Sequence, residues 1–228
     1  NGAGSDLTVD ATRGDLNIIT GTAGGAIALP KEGATGILTA ATLIAGTGAS
    51  LTSSTSITAN NVQSASGNIL FDAMQGVTVG TVTAQAGNVN FLANDLDINN
   101  SVTGSVVSIT NRNDGNDNVT VLGDASAAGA FTLTQDELNR IHAPVVSIDS
   151  LNQDVLIGNV AFANDVGSTR LNLLGTARFD IVGAITASGA ARTLQIRGTL
   201  DPADPNDPST MASIIRIVPP SQAGGRII

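Results

Sequence analysis

Gly67-Asn68-Ile69-Leu70-Phe71 returns as Gly87-Asn88-Val89-Asn90-Phe91, and the distance between the two phrases decides the fold. From Ile69 to Val89 the step is 20 residues. Within it stand Val77-Thr78-Val79 and Val82-Thr83-Ala84, so each step holds three short in-out-in segments parted by small or turn-forming residues. Period-two alternation marks strands that bury one face. A constant return near twenty residues marks a stacked repeat, each unit leaning on the next to close its core. The spacing predicts an all-β chain wound as a parallel β-helix, a solenoid with coils of about 20 residues. The competing arrangement is an antiparallel β-sandwich, in which the Gly-Asn pairs would be hairpin turns.

Downstream of this phrase the expected inward set is Ile69, Phe71, Val77, Val79, Val82, Val89, Phe91, Leu96, Ile98, Val102, Val107, Ile109, Val119 and Val121. Thr78, Thr83, Asn90, Asp97, Ser108 and Thr120 fall between them and are expected on the wet face. A slip of one residue would bury those polar groups, so the register is well specified. Coils stacked about 4.8 Å apart lay like on like. Asn68 and Asn88 then share a corner, where Asn tolerates left-handed backbone and bonds to neighbouring backbone groups. Upstream, Asp6–Val9 and Gly14–Ile18 alternate in the same way, and Ile27, Leu29, Ile37, Leu43, Leu51 and Ile57 extend the pattern. It is loosest between Ala26 and Ser54, which fits loops as well as strands.

Leu133-Thr134-Gln135-Asp136-Glu137-Leu138-Asn139-Arg140-Ile141 is the one helical phrase. Thr134 and Glu137 form a capping box, Leu133 and Leu138 a hydrophobic staple. Asp136 and Glu137 stand at the positive end of the dipole. A short helix is expected near residues 134–141, lying across one coil or capping a corner. After Pro144 the alternation resumes with Val146, Ile148, Val155, Ile157, Val160, Phe162, Leu171, Leu173, Phe179, Ile181, Leu194 and Ile196. Leu171 to Leu194 is a step of 23, which predicts longer or bulged coils. All five Phe occupy inward positions. Three prolines and three carboxylates between Asp201 and Pro208 bar an internal strand. Residues 1–200 therefore read as the solenoid, and 201–228 as a Pro/Asp-rich linker with a terminal strand and a tail. That strand, Ile214–Val218, either closes the last coil or pairs with another molecule's edge.

Composition agrees. Glu occurs twice and Lys once, a poverty that disfavours helices. The 26 glycines follow no Gly-X-Y period and suit frequent corners. A net charge of −9 disfavours nucleic acid and anionic membrane surfaces alike. The charge is uneven, −7 over residues 1–124 and −2 over 125–228. With no Cys there is neither a disulfide scaffold nor a thiolate metal site. No apolar run approaches the roughly 20 residues that span a bilayer, so membrane insertion is not expected. The chain opens at Asn1 inside a strand-like pattern, without a basic and apolar leader, and reads as a piece of a longer or processed polypeptide.

The twenty-residue Gly-Asn-Ile/Val-x-Phe repeats, the element Leu133–Ile141, and the β phrases Val145–Ile148 and Asp154–Ile157 carry a resemblance. Over roughly residues 60–200 the chain resembles the filamentous-haemagglutinin-like surface proteins of Gram-negative bacteria. The resemblance implies a shaft of right-handed parallel β-helix in a secreted protein, exported by two-partner secretion and serving adhesion, biofilm or contact-dependent competition. It also implies an extracellular or cell-surface location. The Asn-Pro-Asn-Gly or Asn-Pro-Asn-Leu motif of that family's secretion domain is absent, so the chain reads as shaft or tip-proximal repeats.

Chemistry-bearing residues are sparse. The single histidine, His142, has no Ser or Cys partner pattern for a triad and reads as structural or surface. The loop Asn111–Asn118, with Asp114 and Asp117, is rich in oxygen but misses the EF-hand ligand order. Asp201, Asp204 and Asp207 have similar chemistry on a Pro-rich loop, and both sets read as solvated turns before calcium sites. Asp95 and Asp97 could share a strand face as the paired carboxylates of a polysaccharide-active enzyme. A chain without Trp or Tyr offers no aromatic platform for sugar beyond its inward Phe. No catalytic, cofactor-binding or metal-binding set is therefore assigned. The expected function is structural and non-catalytic, with homotypic head-to-tail association or further coils of the same polypeptide as partners. An adhesin binding a host-surface or glycan ligand is the alternative.

Overall fold

A computed structural model describes residues 4–31, 36–112, 119–127, 130–151, 153–162, 168–173, 179–187, 193–198 and 215–217. The first coils place β1 (Leu7–Thr8), β2 (Leu16–Ala23), β3 (Ala26–Lys31), β4 (Leu38–Ala45), β5 (Gly48–Ser53) and β6 (Ile57–Ser64). The central coils follow with β7 (Ile69–Ala73), β8 (Gly76–Ala84), β9 (Val89–Ala93), β10 (Asp95–Thr103), β11 (Val106–Asn111), β12 (Val119–Leu122) and β13 (Phe131–Leu133). Then come α1 (Gln135–Asn139), β14 (Ile141–His142), β15 (Val145–Asp149), β16 (Asp154–Ile157) and β17 (Val160–Phe162). The last are β18 (Ser168–Leu173), β19 (Phe179–Ile181), β20 (Ile185–Ala187), β21 (Thr193–Gly198) and β22 (Ile215–Ile217).

Every strand pair among the described residues is parallel, which excludes the antiparallel sandwich. Sheet 1 stacks β1, β3, β5, β7, β9, β11, β15, β18 and β21 in chain order, one strand per lap. Sheet 2 stacks β2, β4, β6, β8, β10 and β14. From β12 onward, sheet 3 (β13, β12, β16, β19, β22) and the pair β17–β20 supply the other walls. The result is a parallel β-solenoid of about seven turns, with roughly 20 residues per turn. Ile69 lies directly beneath Val89, and Phe71 beneath Phe91.

Sheet 2 strands are bent rather than straight. In β8 the alternation of buried Val77 and Val79 breaks at Gly80-Thr81 and resumes at Val82 and Ala84. That doubled outward step turns one strand into two walls, so three segments enclose the column. The core is aliphatic with a phenyl pair. Phe71 and Phe91 stack at 5.1 Å between centroids and 10° between planes, a spacing imposed by the rise from strand to strand.

The Gly-Asn phrase has a separate reason for each residue. A Cβ at Gly67 would collide with the Thr47 carbonyl, and one at Gly87 with the Gly67 carbonyl. Coils touch there, so only hydrogen fits. Asn68 Oδ1 accepts from the Asn88 N–H at 2.9 Å, which ties one coil to the next. Neither Asn takes left-handed backbone; Leu151 is the one non-glycine with positive φ among the described residues.

Several expectations need correction. Between Ala26 and Ser54 the described residues form the strands β3, β4 and β5, and the residue that turns inward at the start of β4 is Leu38, fully buried, not Ile37, which is 46% exposed. Ile37 stands just before β4, and its N–H donates to Asp15 Oδ1 at 2.8 Å. The helix is a single turn, and Ile141 belongs to β14. In β12 the simple alternation fails: Thr120 and Leu122 stand in line with core-facing Val155 and Ile157, while Val121, expected inward, is also buried and Val119 is only partly so. Thr120 tolerates burial because its hydroxyl receives a hydrogen bond from Asn111. Leu171 stacks on Ile196 rather than Leu194, a lap of 25 residues, and β22 closes onto β19.

Candidate functional surface

The outward positions of sheet 2 line up in columns: Asn17, Thr39, Thr58, Thr78 and Asp97 in one, Thr20, Thr42, Asn61, Thr81 and Ser101 in the next. Thr suits such a face because its β-branch favours extended backbone while its hydroxyl stays wet. Neighbouring coils bond along the columns. Thr78 Oγ1 donates to Asp97 Oδ2 at 3.3 Å, and Asn100 Nδ2 to Thr81 Oγ1 at 2.7 Å. Asp95 and Asp97 both lie exposed on one face of β10, but Asp95 Oδ1 accepts from the Leu96 N–H at 3.1 Å and is held in its own turn. His142 sits half-buried on β14 in line with Thr103. Among the described residues no three of His, Cys, Asp and Glu converge as metal ligands. Asp114, Asp117, Asp201, Asp204 and Asp207 lie outside the described residues.

The most specific constellation surrounds α1. Thr134 and Glu137 form the expected capping box, with Glu137 Oε2 accepting from the Thr134 N–H at 2.8 Å. The same carboxylate reaches the open edge of β10, where Oε1 accepts from the Ile98 N–H at 3.2 Å. The Arg140 guanidinium donates to the Ile98 carbonyl. On the other side the Gln135 amide serves Ala161 of β17: Oε1 accepts from its N–H at 2.7 Å, and Nε2 donates to its carbonyl at 2.6 Å. Side chains of one helical turn thus supply the donors and acceptors that a stacked strand would supply. The surplus accommodated here is large, since the lap from Val107 to Val146 takes 39 residues. An unpaired buried backbone group costs about 1–3 kcal/mol, so these bonds let the coil type change without an orphaned edge.

A second cluster lies at the corner where the chain leaves sheet 1. Asn111 is 1% exposed and donates from Nδ2 to Thr120 Oγ1 at 3.1 Å and to Gln153 Oε1. Outside the same corner Arg112 reaches across two coils to Asp72 in an ion pair, and also touches Met74 Sδ. Asp124 receives the side-chain amide of Asn159 at 2.7 Å and its backbone N–H at 2.6 Å, which together hold its carboxyl below 3.8. Burial pushes Asp149 above 3.8, partly offset by the Leu151 N–H. Sequence reasoning missed Asn111, Gln135, Arg140 and Gln153. Asn111 was reachable, being the next inward position after Val107 and Ile109. Gln135 and Arg140 were not, because their partners are backbone groups 26 and 42 residues away.

Lap geometry and these surfaces define a parallel β-solenoid whose walls are polar, small-residue ladders. Comparisons with protein-family models, with curated proteins and with solved structures returned no match.

Proposed function

We propose that this chain is a structural, non-catalytic segment of a secreted bacterial surface or filament-forming protein, joining head-to-tail through the ends of its stack. One observation carries the proposal. At the first coil the inward residues Leu7, Val9, Leu16 and Ile18 are only partly buried, whereas Ile27, Leu29, Leu38 and Ala40 one lap on are at most 1% exposed. Beside them, β1 and β2 are terminal strands of their sheets among the described residues, with one edge free for a further parallel strand. Another coil of this kind would complete both the apolar column and the ladder. The secreted bacterial setting rests on the resemblance of the Gly-Asn repeats and Leu133–Ile141.

Sedimentation velocity across a concentration series, with negative-stain imaging of the same samples, tests the proposal. Rod-like species lengthening in units of one chain support it. A strictly monomeric chain at high concentration removes it. The Thr and Asn columns of sheet 2 favour a second reading, an adhesin face. A glycan-array signal lost when Thr58 and Thr78 are replaced by Val would promote that reading.

A further inference from the structure

Five buried side-chain atoms have no hydrogen-bond partner among the described residues: Ser54 Oγ, Asn94 Oδ1, Arg112 Nε, Ser150 Oγ and Gln153 Nε2. All five fall on one edge of the molecule, the corner just after a strand of sheet 1, namely β5, β9, β11 and β15. Two of these atoms belong to Ser150 and Gln153, which a backbone hydrogen bond ties together, the Gln153 N–H donating to the Ser150 carbonyl at 3.1 Å. Ser150 is 1% and Gln153 4% exposed, so bulk solvent reaches neither. Pairing of Thr110 with Asp149 brings the next residues, Asn111 and Ser150, to the same level of the corner. Below them Asn111 stacks on Ala93, so small side chains border the amide.

We infer that this corner is a built hydration site, in which one or two ordered water molecules bridge Ser150 Oγ and Gln153 Nε2 as part of the fold. The chemistry selects water. The unmatched groups are an amide donor and a hydroxyl that both donates and accepts, a set that a neutral molecule of two donors and two acceptors satisfies. A cation would face the amide N–H groups. An anion would lack a counter-charge, since the terminal nitrogens of Arg112 are turned outward onto Asp72 and Met74. Leaving either buried group unmatched is costly, whereas a bridging water is nearly as good as a direct hydrogen bond.

Water-selective NMR on the labelled full chain tests this. The Gln153 side-chain amide should show direct cross-peaks to water with the sign of a long-resident molecule, and Ser150→Ala should abolish them while the amide fingerprint stays folded. A Gln153 amide without such cross-peaks in the wild type would overturn the inference. So would a crystal structure in which Ser150 Oγ and Gln153 Nε2 bond directly to protein atoms.

Discussion

Asp149 closes β15 with its carboxylate half-withdrawn from water, and that withdrawal raises its pKa above 3.8. An acid raised in the folded state costs stability while ionised. The cost is fully present above the raised value and is relieved as pH falls toward 3.8, the unfolded reference. Asp149→Asn keeps an acceptor for the Leu151 N–H and removes the charge. The variant should therefore melt higher than wild type at neutral pH, with the gap closing as the acid range is entered; thermal denaturation across pH reads it. A gap that widens on acidification would show that hydrogen bonding, not burial, governs this group. At the same scale Phe71 is fully buried and stacked on Phe91, so Phe71→Ala should cost about 3–5 kcal/mol in chemical denaturation. A loss below about 1 kcal/mol would mean that the column collapses around the gap.

Among the elements, α1 is too short to be stable from its own hydrogen bonds. It persists because its side chains are engaged on both sides, by Ile98 of β10 and Ala161 of β17. Glu137 contributes most, serving the helix start and the strand edge with one buried carboxylate. Glu137→Ala should lose roughly 2–4 kcal/mol, the sum expected for a cap and a charge-assisted bond to a buried N–H. Glu137→Gln, which keeps a carbonyl acceptor, should lose less. Hydrogen exchange localises the effect: the Ile98 amide should lose protection in the alanine variant before Val79, one coil below, does. Equal loss at both positions would show that the helix is not an edge cap.

Across the whole molecule, stability is a sum of coil-to-coil contacts, so the ends differ from the middle. Ile18→Lys puts a charge on the half-open face of the first coil, where Ile18 packs partly buried against the core. The proposed head-to-tail contact should weaken at least about tenfold, equivalent to some 1.4 kcal/mol. Melting temperature should fall only modestly, because Ile18 is already partly exposed in the first coil. Sedimentation equilibrium checks the first expectation and thermal denaturation the second. Unchanged association would move the contact away from this end.

Alternation and a twenty-residue return were enough to determine the winding, the inward column through Ile109, and the Gly-Asn corners, because a lap that must lie flat on its predecessor repeats its requirements in the chain. The capping box was legible for the same reason: both of its partners sit within one turn of sequence. What only the tertiary structure decided is where that periodicity is interrupted. Thr120 faces inward because Asn111 offers it a buried partner, and α1 replaces a strand because Ile98 and Ala161 lie on either side of it. Such matches join residues from different laps, and local spacing carries no trace of a partner that folding alone brings alongside.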